Sequence, residues 1–593
     1  MTDSTNKPEF REDDSWFSKE QLEKLTPADH ADREPLPIPT QMVSNGEYMP
    51  YPQTERQKQV EARINQLADE GSKRLGMSRR QFLATSGGMA ASFLAMNEVF
   101  GHFFDIRPVD MFVPAAYAES GTPPNLFVLD TQLHTIRSSR NFNNLTLRAI
   151  AQGVHSALNA LDLPDELGGV NTPWNPALRG LPNVSENFYL VQFVKDVYLD
   201  SQVTVGLMSN NTGAAIPDVT GNRPPKNVLE SEKGEFLSAP QTAAVRDWIN
   251  ALAGSKRMLA HGQMYPGVNG SYPVGTPSPT NLEYMQWQID TLKPDSWKGY
   301  TSATSAKQDL NPDSPMRTWT LDDPVVADPM YDLIVRNGHM RKTHPGFFNI
   351  CIHKGLSTNA SNDPSSEPLG FPTDIPRAAK NWPMLNFIIY HSCIRPGFWM
   401  LNALNDVHSG RLRAGVPDIL WTTQFAVDSA PFENVYAELG TIFASCVITF
   451  PTVCAHILGQ LMKFMGEDRI VFGSDSVWYG SPQWQIDALW RFEIPEELRR
   501  QYGYPELTKA AKRKILGLNS ARLYRLPSAS EAAPQGVYTA VPKDYANHIP
   551  DSLKTILEFP GYTADNLSTM RKIYAEAGGT RSNTRYGWLR TGS

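Results

Sequence analysis

Phe127-Val128-Leu129-Asp130-Thr131-Gln132-Leu133-His134 starts as a continuous apolar run and ends in alternating polar residues. Side chains alternate across a strand, so Asp130, Gln132 and His134 share one face. Three polar groups at the end of a buried strand are costly unless something binds them. Seven more short apolar runs follow, at 203–209, 257–263, 296–301, 347–353, 385–391, 435–439 and 469–475. Most are continuously apolar, which suits parallel strands covered on both faces. Helix-period stretches lie between them, at 145–161, 188–198, 241–253, 282–292, 330–337 and 453–465. This alternation predicts an α/β protein, a (β/α)8 TIM barrel over residues 119–526. A doubly wound open sheet is the main competitor. No Gly-x-Gly-x-x-Gly turn follows the first strand, so a dinucleotide site has no support.

Loops after barrel strands gather at one rim, where sites are built. The connections at 210–238, 266–281, 356–375 and 392–431 are long and rich in Gly, Pro, Ser and Asn. They read as rim insertions that shape and cover a pocket. Polar residues end several strands: His353 the fifth, His391 the sixth and Asp475 the eighth. One histidine ending an apolar run is more often structural. Three of the twelve doing so, with an aspartate ending another strand, form the donor set that a borderline cation such as Zn²⁺ takes.

The segments VLDTQLH (128–134), FNICIHKG (348–355), NFIIYHS (386–392), NVYAELGT (434–441) and RIVFGSDS (469–476), with KRKILGLNSARL (512–523) closing the series, resemble the amidohydrolase-related barrels. That group contains metal-dependent hydrolases and the non-oxidative decarboxylases related to aminocarboxymuconate semialdehyde decarboxylase. The likeness spans about 125–526. It implies one divalent metal ion, zinc first and manganese or another divalent ion otherwise, held by His134, His353 and Asp475. It also implies that His391 gives a proton or orients the substrate.

Gln132 departs from the pattern, which places a His there, or a Glu in some decarboxylases. A weak fourth metal ligand, a substrate contact and a degenerate site without metal all stay open. Lys298, in Trp297-Lys298-Gly299-Tyr300, reads as a substrate-binding rim lysine. The carbamylated bridge of binuclear relatives is the other option, but two metals would have too few good donors here. His261 and Glu438 line the pocket or serve structure. The resemblance leads to a hydrolase using metal-activated water on an ester, amide or lactone, with Asp475 taking the proton. The alternative is a decarboxylase of an aromatic or enol-type acid, with His391 or Asp475 supplying the proton. A non-catalytic binding barrel is the third reading.

Residues 1–118 read as lying outside the fold. A flexible arm, with a helix near 53–73, precedes Ser78-Arg79-Arg80-Gln81-Phe82-Leu83 and the weakly apolar run 84–96. This resembles a twin-arginine export signal with Ala116-Tyr117-Ala118 as its cleavage site. It predicts the twin-arginine machinery as a partner and a periplasmic location. A buried amphipathic helix that happens to begin with Arg-Arg is the competing reading. The run is too short and too rich in Gly and Ser to span a bilayer. With 55 basic and 62 acidic residues the net charge is −7, the wrong sign for a nucleic-acid binder. A small-molecule substrate is the expected partner, and a homo-oligomer is compatible with the composition. Four cysteines without a CxxC pair exclude a disulfide scaffold and give no sign of structural zinc. Residues 527–593 read as a C-terminal extension carrying a helix at 564–577.

Overall fold

The computed structural model describes residues 25–27, 36–44, 53–123, 125–135, 190–209, 237–253, 256–264, 280–301, 319–355, 367–395, 399–526 and 589–591. Strands stand at all eight predicted places. They are β1 (Leu129–Leu133), β2 (Val205–Met208), β3 (Met258–Gln263), β4 (Ser296–Tyr300), β5 (Asn349–His353), β6 (Asn386–Tyr390), β7 (Val435–Glu438) and β8 (Ile470–Val471). Consecutive strands pair in parallel from β1 through β8. The ring closes where Thr131 N donates to Phe472 O at 3.0 Å and Leu133 bridges Ser476 in parallel. The fold is a TIM barrel.

Alternation divides the strands between two cores. Leu129, Val205, Leu207, Leu259, Cys351, Ile388 and Val471 cluster with Tyr390 and Tyr524, while Val128, Met208, Met258, Ile350, Ile352, Phe387, Ile389 and Val435 join a larger outer cluster. Both faces are therefore apolar, which is why the runs read as continuous. The strands end at the rim with their polar residues. Left-handed backbone there, at His391 (φ 57°), Ser392 (φ 48°), Cys393 (φ 56°) and Asp475 (φ 57°), is costly for non-glycine residues and concentrates at functional sites.

The helix expected near 53–73 is present, and residues 53–118, expected to lie outside the fold, form a layer of it. Helix α1 (Glu55–Leu75) starts at a Thr54/Gln57 capping box and ends at left-handed Gly76. Its buried Val60, Ile64, Leu67 and Ala68 repeat at helical spacing. Arg79–Leu83 forms α2, the supposed signal run lies in α3 (Ser86–Phe100), and Pro114–Ser120 forms α4. The small residues that read as a signal serve close packing: a Cβ on Gly88 would stand 2.6 Å from the Leu83 backbone. Phe93 stacks on Phe104 at 4.7 Å, and Phe104 meets Phe492 edge-on at 5.6 Å. Gln57 Nε2 donates to Thr449 O at the end of α5 (Gly440–Thr449), the helix after β7. Arg491, the last residue of α6 (Gln483–Arg491) after β8, donates to Asp105 O, Tyr117 O and Ser120 Oγ. The layer thus grips the two helices that follow β7 and β8.

The stretch 392–431, expected to be loop, contains helices Trp399–His408 and Thr422–Asp428 and a hairpin pairing Leu412–Arg413 with Val416–Pro417. Leu589–Thr591 pairs antiparallel with Leu25–Pro27 and Val43–Ser44, so the two ends of the chain meet. The predicted helices at 145–161 and 564–577 lie outside the described residues. No helix among the described residues is long and apolar enough to cross a membrane.

Candidate active site

The strand-end residues gather at one end of the barrel, and all are buried. His134, His353, His391, Asp475, Gln132, Lys298 and His261 are each at most 4% exposed. His134 Nε2 meets Asp475 Oδ1 at 3.0 Å, and the His134 ring stacks on Trp478. The other Asp475 oxygen accepts from Thr441 Oγ1, which also lies 3.2 Å from Tyr479 OH. Burial works to raise the Asp475 carboxyl, but the bond with His134 and the nearby imidazoles outweigh it and leave it below its ordinary value. Burial lowers His134 despite Asp475.

His391 is held on two sides. Its Nδ1 accepts from Thr441 N at 3.1 Å, and its Nε2 faces the Gln132 amide at 3.4 Å. Burial drives this imidazole down to about 3, so it is neutral at ordinary pH. His353 stacks on Tyr300 and meets His391 edge-on, each with ring centroids 4.6 Å apart.

Two carboxyls join this group. Glu438, ending β7, accepts His391 N–H through Oε2 at 3.0 Å, while its buried Oε1 has no hydrogen-bond partner. Asp130 accepts from Gln132 N and Ser474 N through Oδ1, and its buried Oδ2 has none. Burial foremost, then repulsion from Asp475, raises Glu438 to about 8 and Asp130 to about 7. Asp475 is therefore the carboxyl held low, and Glu438 and Asp130 are the two held high.

Lys298 is fully buried, its Nζ 3.5 Å from the Tyr390 ring centroid and 5.0 Å from that of Tyr300. Such cation–ring contacts stabilise by about 2 kcal/mol or more when desolvated. His261, read as pocket-lining or structural, hydrogen-bonds within the scaffold. Its Nδ1 faces Ser296 Oγ at 2.9 Å, and its Nε2 faces Tyr390 OH at 3.0 Å. Tyr390 in turn donates to Thr131 O at 2.6 Å. His261 thereby fixes the ring beneath Lys298.

A divalent cation needs its donor atoms about 2.0–2.3 Å from one point. His134 Nε2 and Asp475 Oδ1 are hydrogen-bonded at 3.0 Å, a separation that two donors on bonds of about 2.1 Å can also take. The chemistry of this pair fits a metal ion. The complete set does not assemble: among the described residues, no group of three or more His, Cys, Asp or Glu side chains could hold one. His353 packs on its aromatic neighbours instead. Thr441, Tyr479 and Tyr390 were not singled out from sequence. Thr441 was legible in principle, as the first polar residue after the glutamate that ends β7.

Residues 309–526 match the amidohydrolase family, which is somewhat over a third of the chain and covers the second half of the barrel. No curated protein matches the sequence. Solved structures similar to it include 2,6-dihydroxybenzoate decarboxylase from Rhizobium, at 13% identity over 67% of this chain and 98% of that one, with a TM-score of 0.36. A 5-carboxyvanillate decarboxylase from Sphingomonas paucimobilis shows 11% identity over 68% and 99%, TM-score 0.36. A putative amidohydrolase from Staphylococcus aureus shows 12% identity over 67% and 99%, TM-score 0.32.

Proposed function

We propose that this barrel is a non-oxidative carboxy-lyase that removes CO₂ from a small aromatic or enol-type acid. The observation that carries the reading is the fully buried Lys298, set against the Tyr390 ring in a closed site beside carboxyls that hold protons. Lys298 receives the substrate carboxylate. A site shut off from water favours the step, because a localised charge becomes neutral CO₂. Neither residue expected to give the proton has one to spare. His391 is neutral and already accepts at Nδ1, and Asp475 is ionised with both oxygens engaged. Glu438 is the better donor. Its proton adds to the carbon bearing the carboxylate, the bond from that carbon to the carboxylate breaks, and the electron pair returns to the ring or enol system. A divalent cation, held by His134 and Asp475, would supply positive charge to the substrate oxygens.

Hydrolysis is the second reading, favoured by the His134–Asp475 pair, which could also hold an attacking water. Incubating the full chain with Mn²⁺ or Zn²⁺ and panels of hydroxybenzoates, enol acids, esters and lactones separates the two. The proposal expects CO₂ release with solvent deuterium entering at the carbon that loses it, and loss of that activity in Lys298→Met and Glu438→Gln. Ester or lactone cleavage with no acid decarboxylated would establish the hydrolase instead.

A further inference from the structure

We propose that Gln132 is a positioning residue for His391 and not a metal ligand: its side-chain carbonyl accepts the Nε2–H of the neutral His391 ring. A backbone N–H can only donate, so the 3.1 Å contact from Thr441 N leaves His391 Nδ1 without a proton. The neutral ring then carries its proton on Nε2. That atom faces the Gln132 amide nitrogen at 3.4 Å, which would set two donors against each other, while buried Gln132 Oε1 has no hydrogen-bond partner.

One rotation of the amide removes both faults. Oxygen and nitrogen of a glutamine amide are nearly isosteric, and the surrounding hydrogen bonds decide which is which. Turned by half a revolution, Oε1 accepts from His391 Nε2–H and the NH₂ group takes the present position of Oε1. That position and Glu438 Oε2 both border the space beside Gly440. A Cβ on Gly440 would stand 2.6 Å from that position, 2.6 Å from His391 Nδ1 and 2.9 Å from Glu438 Oε2. The three side chains thus border the space left by Gly440, whose backbone conformation (φ 36°) other residues rarely adopt.

This accounts for glutamine at a position where the resemblance expects histidine or glutamate. An amide offers the imidazole an acceptor without adding charge. Its effect on turnover rests on the carboxy-lyase reading; the hydrogen bond does not. The test is ¹⁵N NMR of histidine-labelled full chain, with His391→Gln assigning the signal. The expected result is a proton on His391 Nε2, none on Nδ1, and slow exchange of that proton with water. Gln132→Leu should make it exchange at least tenfold faster and Gln132→Glu should restore slow exchange. Metal content after dialysis against Mn²⁺ should be the same in all three proteins. A wild-type ring protonated on Nδ1, or loss of bound Mn²⁺ in Gln132→Leu alone, would overturn the proposal. Should Gln132→Leu fail to fold, the wild-type tautomer decides the matter by itself. With an active substrate, kcat should fall in Gln132→Leu while KM holds. Absence of any decarboxylation, with the Nε2 proton found as expected, would remove the carboxy-lyase and leave the hydrogen bond standing.

Discussion

Replacing Arg491 by methionine tests whether residues 79–120 belong to the fold. The guanidinium is 1% exposed and donates to Asp105 O at 2.8 Å, Tyr117 O at 2.8 Å and Ser120 Oγ at 3.1 Å, and it lies 4.1 Å from the Tyr117 ring centroid. Hydrogen bonds to a charged group stabilise by about 1.5–3 kcal/mol each, but they are not additive, and methionine avoids burying a charge. Methionine also leaves two half-buried carbonyls without this donor. A net loss of roughly 2–4 kcal/mol follows. With about 2.1 cal/mol/K of unfolding entropy per residue over a unit of roughly 400 residues, the variant should melt about 2–5 °C lower. Calorimetry of the full chain reads the shift, and hydrogen exchange locates it. Amides of 79–120 should lose protection before those of β5 and β6. An unchanged Tm, with 79–120 exchanging like free chain in the wild type, would refute the packing argument. The same geometry predicts that protein recovered from cells retains residues 53–118. A chain beginning at Glu119 would deprive Arg491 of its Asp105 and Tyr117 partners.

The Glu438 carboxyl is raised, so the folded state holds a proton that the unfolded chain gives up near pH 4.5. Its contribution is complete below that pH and is lost as pH climbs through about 8. The Tm of Glu438→Gln should therefore gain on wild type across that interval; a constant difference would show that Glu438 ionises normally. His134→Ala and Asp475→Asn should each lower bound Mn²⁺ or Zn²⁺ by at least about tenfold, the scale on which loss of a metal's supporting groups acts, read by mass spectrometry on the folded protein. Equal metal in wild type and both variants would place the cation elsewhere. His261→Phe should lower turnover through Tyr390, leaving metal content unchanged. If substrate affinity alone falls, His261 meets substrate after all.

The barrel was legible because its strands are apolar on both faces, and runs such as Phe387-Ile388-Ile389-Tyr390 have no other economical location. The strand-end histidines were legible for the complementary reason: a polar residue closing such a run stands at the rim. Partnership was not legible. Alternation places Gln132 and His134 on one face, yet His134 turns to Asp475 and Gln132 to His391. Those choices depend on Thr441 and Glu438, more than 300 positions away in the chain. That residues 53–118 pack on the barrel was not legible in composition. Gly87, Gly88, Ala90 and Ala91 fit an export signal and a tightly packed helix equally well, because both need small side chains. The contacts that show packing come from Phe492 on Phe104 and Arg491 on Asp105, nearly 400 positions later. The two helices gripped by that layer follow β7 and β8, and Thr441 and Asp475 stand at those same strand ends. Loosening the layer should therefore reach the site, so Arg491→Met should disturb the Thr441–Asp475 contact as well as the melting temperature.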